Sequence, residues 1–242
     1  MTRAEAKGVS RRKSAGRPAR GAGEKATQSE MAYHALKRSI LEGSLPAGTQ
    51  LLELEAAERL NVSRTPVREA MVRLQQEGMV ELRPRHGMRV LPASADDMRE
   101  IYEVLTALEG KAAELAAQKG LSKAQLAPMR GAVEAMDRAL EAGALQDWAR
   151  ADERFHAELV ALAGNDRLTA MVGQLWDQAH RARMATLKMR PKPVASNREH
   201  KAVVEAIYHG DAEAARRIHE DHRRRAGELL VSILQDLSGT QI

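Results

Sequence analysis

Apolar positions along the chain follow two regimes. From residue 29 to 92, short helical stripes alternate with brief strand-like runs, whereas from Ala95 onward a helical period persists to the end and strand-like alternation disappears. In the first regime, Ala32, Leu36 and Ile40 fall on one side of a helix over Met31–Leu41, with Lys37 and Arg38 on another. Gly and Pro at both ends of Gly43-Ser44-Leu45-Pro46-Ala47-Gly48 force a loop, and Gln50-Leu51-Leu52 predicts a short strand. Leu54–Leu60 predicts a second, short helix.

The stretch Val62–Gly78 predicts a third helix, with Ser63 or Thr65 as cap, Pro66 in the first turn where a missing N–H does no harm, and Gly78 as terminator. Val67, Met71 and Leu74 would face inward, leaving Arg64, Arg68 and Arg73 free for a polyanion. Joined by a turn at Asn61–Val62–Ser63, the second and third helices make a helix-turn-helix. Met79–Leu82 and Met88–Leu91, flanking Arg83–Gly87, then predict a winged hairpin.

The second regime predicts helices near 95–119, 123–142, 144–163, 165–190, 196–210 and 211–237, interrupted at Gly120-Leu121-Ser122, Ala142-Gly143, Gly164-Asn165 and Pro191-Lys192-Pro193. Pro92-Ala93-Ser94 is the expected hinge, with Ser94 as N-cap and Asp96 and Asp97 suiting a first turn. No fixed repeat is present, which favours a bundle over a solenoid. The expected fold is therefore mainly α: an N-terminal winged helix-turn-helix with a small β-wing at 29–92, then an all-α antiparallel helical bundle at 95–238.

Composition adds limits. A chain of 242 residues with 43% hydrophobic content supports two modest cores. The absence of cysteine excludes disulfides and thiolate metal sites and fits a reducing cytoplasm, while no apolar run is long enough to span a bilayer and no apolar signal core marks export. The net charge of +5 is uneven: +6 over residues 1–28, +1 over 29–92 and −2 over 93–242. Rich in Gly and basic residues, the tail 1–28 cannot bury enough surface to fold alone and is expected to be disordered. It reads either as an arm making salt-sensitive phosphate contacts, with Ala15–Arg20 similar to a minor-groove hook, or as a solvated leader without a role.

Candidate chemistry begins at Asp152-Glu153-Arg154-Phe155-His156, where Asp152 and His156 lie four apart on one helix face. His200 and His222 fall on two further helices, so three helices could bring one carboxylate and three imidazoles to a single ion. His219, three residues before His222, competes with it on the same face.

Two stretches carry a family resemblance. AYHALKRSILEGSLPAGTQL followed by AERLNVSRTPVREAMVRLQQEGMVELRPRHGMRV resembles the GntR family of bacterial transcriptional regulators. DERFHAELVALAGNDRL, EHKAVVEAIYHGDAEAA and His222 resemble the FCD ligand-binding domain of that family's FadR branch, with a six-helix bundle like its VanR-type subgroup. The first resemblance implies DNA contact by Arg64, Thr65, Arg68 and a wing-tip Gly87; a guanidinium fork at Arg68 matches guanine O6 and N7 together. The second implies a divalent metal on Asp152, His156, His200 and His222, leaves His219 exposed, and implies a small organic acid, a carboxylate, held beside the metal. Nitrogen and oxygen donors suit zinc first, with nickel, manganese or iron as alternatives.

One departure stands out: where the family often has an arginine in the first bundle helix, this chain has Leu105. The effector's acid group then meets another cation, Arg181 or Arg183, or the effector is less polar; both arginines also read as plain surface charges. The implied function is a ligand-responsive, cytoplasmic, homodimeric regulator, a repressor on palindromic double-stranded DNA. The alternatives are a metalloenzyme built on the Asp/His centre, or a metal-sensing or architectural DNA-binding protein. Against an enzyme, HEDH at 219–222 is one residue short of the HExxH spacing, and neither a nucleophile elbow nor a phosphate loop is visible.

Overall fold

The computed structural model describes residues 27–239; all but the last two residues of the basic tail lie outside them. Helix α1 (Gln28–Leu41) starts earlier than its apolar stripe indicates, because Thr27 and Glu30 form a capping box, a polar signal that carries no hydrophobic period. Strand β1 (Gln50–Leu51), helix α2 (Glu53–Leu60), helix α3 (Arg64–Gln76) and strands β2 (Val80–Arg83) and β3 (Gly87–Val90) complete a winged helix-turn-helix. The sheet order is β1-β3-β2, antiparallel throughout, with Leu51 opposite Met88 and Leu82 opposite the same residue from the other side. Val67, Met71, Leu74 and Met88 sit fully buried in a core confined to these elements.

Two local expectations need correction. Ser63 occupies the N-cap of α3 but makes no side-chain hydrogen bond there. Gly87 is not the wing tip: the turn is Pro84-Arg85-His86, and Gly87 opens β3 opposite Arg83. Its φ is +69°, and a Cβ would stand 2.2 Å from the Leu51 carbonyl oxygen. Passage of β1 across the hairpin, rather than open space at the tip, is what demands glycine there.

The remaining helices are α4 (Ala95–Ala117), α5 (Lys123–Glu141), α6 (Leu145–Ala163), α7 (Asp166–Thr186), α8 (Val194–Tyr208) and α9 (Ala212–Gly239). Ser94 caps α4 by accepting from the Asp97 amide. Helices α4 and α9 pack extensively and approach closely at two glycines: a Cβ on Gly110 would meet Glu220 Cγ at 2.5 Å, and one on Gly227 would meet the Tyr102 ring at 2.7 Å. α6 packs on α4 and α5, and α8 on α5 and α9, enclosing Met129, Phe155 and Val203.

α7 ends sooner than expected, giving way to a 3-10 turn at Leu187–Met189. Pro191 excludes the helical region for the residue before it, and Arg190 is accordingly extended (φ −85°, ψ 147°). That turn directs Arg190 back toward the bundle. In its C-terminal half α7 also reaches the winged helix: Gln178 donates to the Glu77 carbonyl at 2.7 Å, Arg181 donates to the Met79 carbonyl at 3.3 Å, and Lys37 pairs with both Glu77 and Asp177. Among the described residues, no helix is long and apolar enough to cross a membrane.

Candidate functional site

The outer face of α3 presents Arg64, Thr65 and Arg68 to solvent, with the two arginine side chains 66% and 74% exposed. Both lean on Glu53 of α2, Arg64 at 3.1 Å and Arg68 at 3.9 Å, contacts weak enough at the surface for a phosphate or base edge to replace them. Arg73 is differently employed: its guanidinium lies 3.6 Å from the centre of the Tyr33 ring and faces Glu77, binding α3 to α1. Tyr33 in turn donates to Glu77 at 2.6 Å. Arg83 pairs with Glu81 inside the wing, leaving Arg85 exposed at the turn with a left-handed backbone (φ +66°).

Inside the bundle, the structure brings together all four residues singled out for a metal. Ligand atoms of Asp152, His156, His200 and His222 lie within 4.8 Å of one another, and all four residues are buried. Asp152 stands 3.7 Å from His156 Nε2 and 3.7 Å from His200 Nε2, while the Nε2 atoms of His200 and His222 are 3.2 Å apart. Packed against His200 is the Phe155 ring, 4.1 Å centre to centre, which shields the group from one side.

Two carboxylates set the ring tautomers. His156 Nδ1 lies 2.8 Å from Glu109 and His222 Nδ1 lies 2.8 Å from Glu199. An ionised carboxylate only accepts, so in the neutral rings each Nδ1 carries the hydrogen and each Nε2 turns its lone pair inward. Burial lowers the pKa of His156 and, more strongly, of His200, which keeps those rings neutral and able to ligate. Burial acts to raise the pKa of Asp152, but Arg183, then His156 and His200, hold it below the usual carboxylate range. Three inward nitrogens and one anionic oxygen are the donor set of a divalent ion of intermediate softness, so these residues fit the expected metal.

A second group, Glu109, His156 and His219, has the composition of a metal site but not its chemistry. Glu109 Oε2 accepts from His156 and His219 at 2.8 and 2.9 Å, and Oε1 accepts from Arg223 and Trp176 at 2.5 and 3.1 Å. Four donors saturate it. Despite complete burial, Arg223 and the histidines keep its pKa well below the usual range, so it serves as the anion that orients His156. The expectation that His219 is exposed is corrected here: it is fully buried, its pKa pushed by burial down to about 3. Lying three residues before His222, it shares the inward face of α9 and is bound to Glu109 rather than to the four-residue cluster.

Arg181 and Arg183 separate. Arg183 reaches inward to Asp152 and is mostly buried, whereas Arg181 contacts the winged helix at Met79 and does not border the cluster. A cavity of about 210 Å³ opens beside the cluster, bordered by Tyr102, Asp152, His156, Arg183, Arg190 and His222 among others. Leu105 is fully buried in the α4–α9 core and does not line it.

Glu109, Glu199, Arg223 and Arg190 were not singled out in the sequence. A signal existed for the first: Glu109 falls in the buried series Met98, Tyr102, Leu105, Glu109, Ala112, Ala116, where a carboxylate must find partners.

Comparison with known proteins matches residues 28–90 to "Bacterial regulatory proteins, gntR family" and residues 100–225 to the FCD domain. The chain is 49% identical over 134 residues, covering 54% of itself and 78% of the relative, to an uncharacterized HTH-type transcriptional regulator of Agrobacterium vitis, in the TAR-I ttuE-ttuC' intergenic region. It is 34% identical over 179 residues, 73% of itself and 76% of the relative, to a "Probable D-xylose utilization operon transcriptional repressor" of Paenarthrobacter nicotinovorans. Among solved structures, E. coli McbR/YncC shares the fold with a TM-score of 0.72 at 21% identity, over 86% of this chain and 99% of that one.

Proposed function

The chain belongs to the GntR family of bacterial regulatory proteins and carries its FCD domain, and on that premise we propose a repressor whose affinity for its operator is set by a small organic acid bound beside a divalent metal. The family and the relatives named above are transcriptional regulators rather than enzymes, which removes the metalloenzyme reading. In this proposal residues 29–92 bind DNA, with Arg64, Thr65, Arg68 and Gly87 at the contact, and residues 95–238 bind the effector and dimerise. One recognition helix covers only a few base pairs; two related by a twofold axis read a palindrome with enough contacts for specificity. The protein works in the cytoplasm, where the operator is.

Asp152, His156, His200 and His222 would hold the metal, zinc first among the candidates, and the metal would supply an electrophilic anchor for an acid group. Arg183 neutralises Asp152 and stands ready beside the same cavity. The observation that carries ligand response is that one helix touches both machines: α7 meets Asp152 through Arg183 and the end of the recognition helix through Gln178. An effector that prefers one setting of α7 by about 1–3 kcal/mol would change DNA affinity by about 5–150-fold. The test is to select the operator from a random duplex pool, then titrate metal-loaded protein with organic acids while following DNA release. Binding of DNA that no acid alters, in the presence or absence of metal, would defeat the ligand-responsive reading.

A further inference from the structure

The cavity beside the four-residue cluster holds more positive charge than its own acids neutralise. Five cations border it: Arg183, Arg190, Lys192, Arg223 and Arg225. Arg183 is paired with Asp152, Arg223 with Glu109 and Arg225 with Glu199. Among the described residues neither Arg190 nor Lys192 forms an ion pair, and Arg190 Nε donates to the Thr186 hydroxyl at 3.2 Å. Lys192 is solvated, but Arg190 is largely enclosed, and its Nη2 is buried with no hydrogen-bond partner. Burial lowers its pKa, and Tyr102 and the more distant Asp152 offset that only in part.

Beside Arg190 lies a second orphan. Tyr102 is 4% exposed and lines the same cavity; its buried hydroxyl lies toward Arg190 and makes no well-formed hydrogen bond among the described residues. The backbone places both groups by design: Pro191 turns Arg190 inward, and Gly227 leaves the space against which the Tyr102 ring packs. Unsatisfied buried donors are uncommon in folded proteins, and a pair of them facing a cavity marks where a ligand group belongs. A carboxylate has two oxygens and would take one hydrogen bond from each.

We propose that this end of the cavity binds a second acidic group of the effector, so that the effector is a compact dicarboxylate with one acid group at the four-residue cluster and the other on Arg190 and Tyr102. This rests on the cavity being the effector site. The two ends are chemically distinct, one a set of inward lone pairs and the other a set of inward donors, which suits a molecule with two separated acid groups better than a monoacid or a single phosphate. At about 210 Å³ the space admits a short chain and excludes large aromatic acids. Arg190 thus supplies the cation that Leu105 cannot.

The test uses full-length, manganese-loaded protein, with metal content counted by mass spectrometry and binding measured by calorimetry for malate, lactate, succinate and glycerol phosphate. Malate should bind at least about 10-fold tighter than lactate, which shares its hydroxy-acid end and lacks the second carboxylate. Arg190→Met should abolish that preference while leaving metal content and lactate binding unchanged, and Tyr102→Phe, which removes only a hydroxyl, should reduce it. Equal binding of malate and lactate by the wild type, a preference that survives both substitutions, or tighter binding of glycerol phosphate than of either dicarboxylate would each overturn the inference while leaving the effector site standing. If no acid binds the loaded protein, the cavity is not the effector site and both readings fall together.

Discussion

Gln178 on α7 donates its side-chain N–H to the main-chain carbonyl of Glu77, 2.7 Å away, at the C-terminal end of α3. The helix that sends Arg183 to Asp152 is thereby hydrogen-bonded to the end of the helix that presents Arg68. Lys37 reinforces the junction by pairing with both Glu77 and Asp177.

Removal of that link should uncouple the two domains. Gln178→Ala is expected to leave metal content unchanged and to reduce the effector's influence on DNA affinity to less than about 3-fold, against the 5–150-fold range of ordinary coupling. Fluorescence anisotropy on labelled operator, with and without effector, measures this directly; an undiminished response would place the coupling elsewhere.

The arginines of α3 should divide by role. Arg68→Ala is expected to weaken specific operator binding by about 1–3 kcal/mol with little change in melting temperature, because that side chain is exposed and held only by a long contact to Glu53. Arg73→Ala should do the reverse, lowering the melting temperature through loss of its stacking on Tyr33. Parallel gel-shift and thermal unfolding measurements on the two variants would refute the division if Arg73→Ala weakened DNA binding as much as Arg68→Ala.

Metal content should track the cluster in a graded way. His200→Ala removes a ligand and should take the protein from about one equivalent to almost none. Glu109→Gln keeps every proposed ligand but loses the anion that orients His156, which should weaken metal affinity by about 10–100-fold. Because it also strands Arg223 in the core, a fall in stability of about 3–5 kcal/mol is expected with it. Equilibrium dialysis against a competing chelator separates the affinity effect from folding, and an unchanged metal affinity in Glu109→Gln would deny the orienting role.

Acid should destabilise the metal-free protein earlier than it does most proteins. His156, His200 and His219 have pKa values depressed in the fold by burial, to about 3 for His219, against an ordinary value of 6.5. Their contribution is fully present above pH 6.5 and is lost as pH falls toward the folded values, because the unfolded chain takes up protons that the folded chain refuses. Glu109, depressed below 4.5 by Arg223 and its histidine partners in spite of burial, adds to the loss below that pH. Chemical denaturation at pH 7.5, 6.0 and 5.0 should show stability falling by up to about 1.4 kcal/mol per pH unit for each histidine. A flat profile from 7.5 to 5.0 would mean that the rings already carry protons in the fold.

Much of this protein is determined by local sequence. The stripes Ala32–Leu36–Ile40 and Val67–Met71–Leu74 fix two helices of the winged domain, Gly78 ends the recognition helix, and the i, i+4 spacing of Asp152 and His156 puts both on one face of α6. These are properties of a helical period, legible without knowing what lies opposite. The family motifs extend that reading to His200 and His222, since motif positions encode a convergence that spacing alone does not.

What tertiary structure decided was which polar groups meet. Arg181 and Arg183 read alike in sequence, yet two residues along a helix are about 200° apart. One must face away when the other faces the cluster, and only the packing of α7 says which. His219 and His222 share a face, so both are buried, but their partners come from α4 and α8 and no local pattern names them. Glu109 announced itself as a carboxylate on a buried stripe, yet its four donors come from α6, α7 and α9, brought together by the fold across as many as 114 residues of chain. Periodicity says which way a side chain points; only the fold says what is there to receive it.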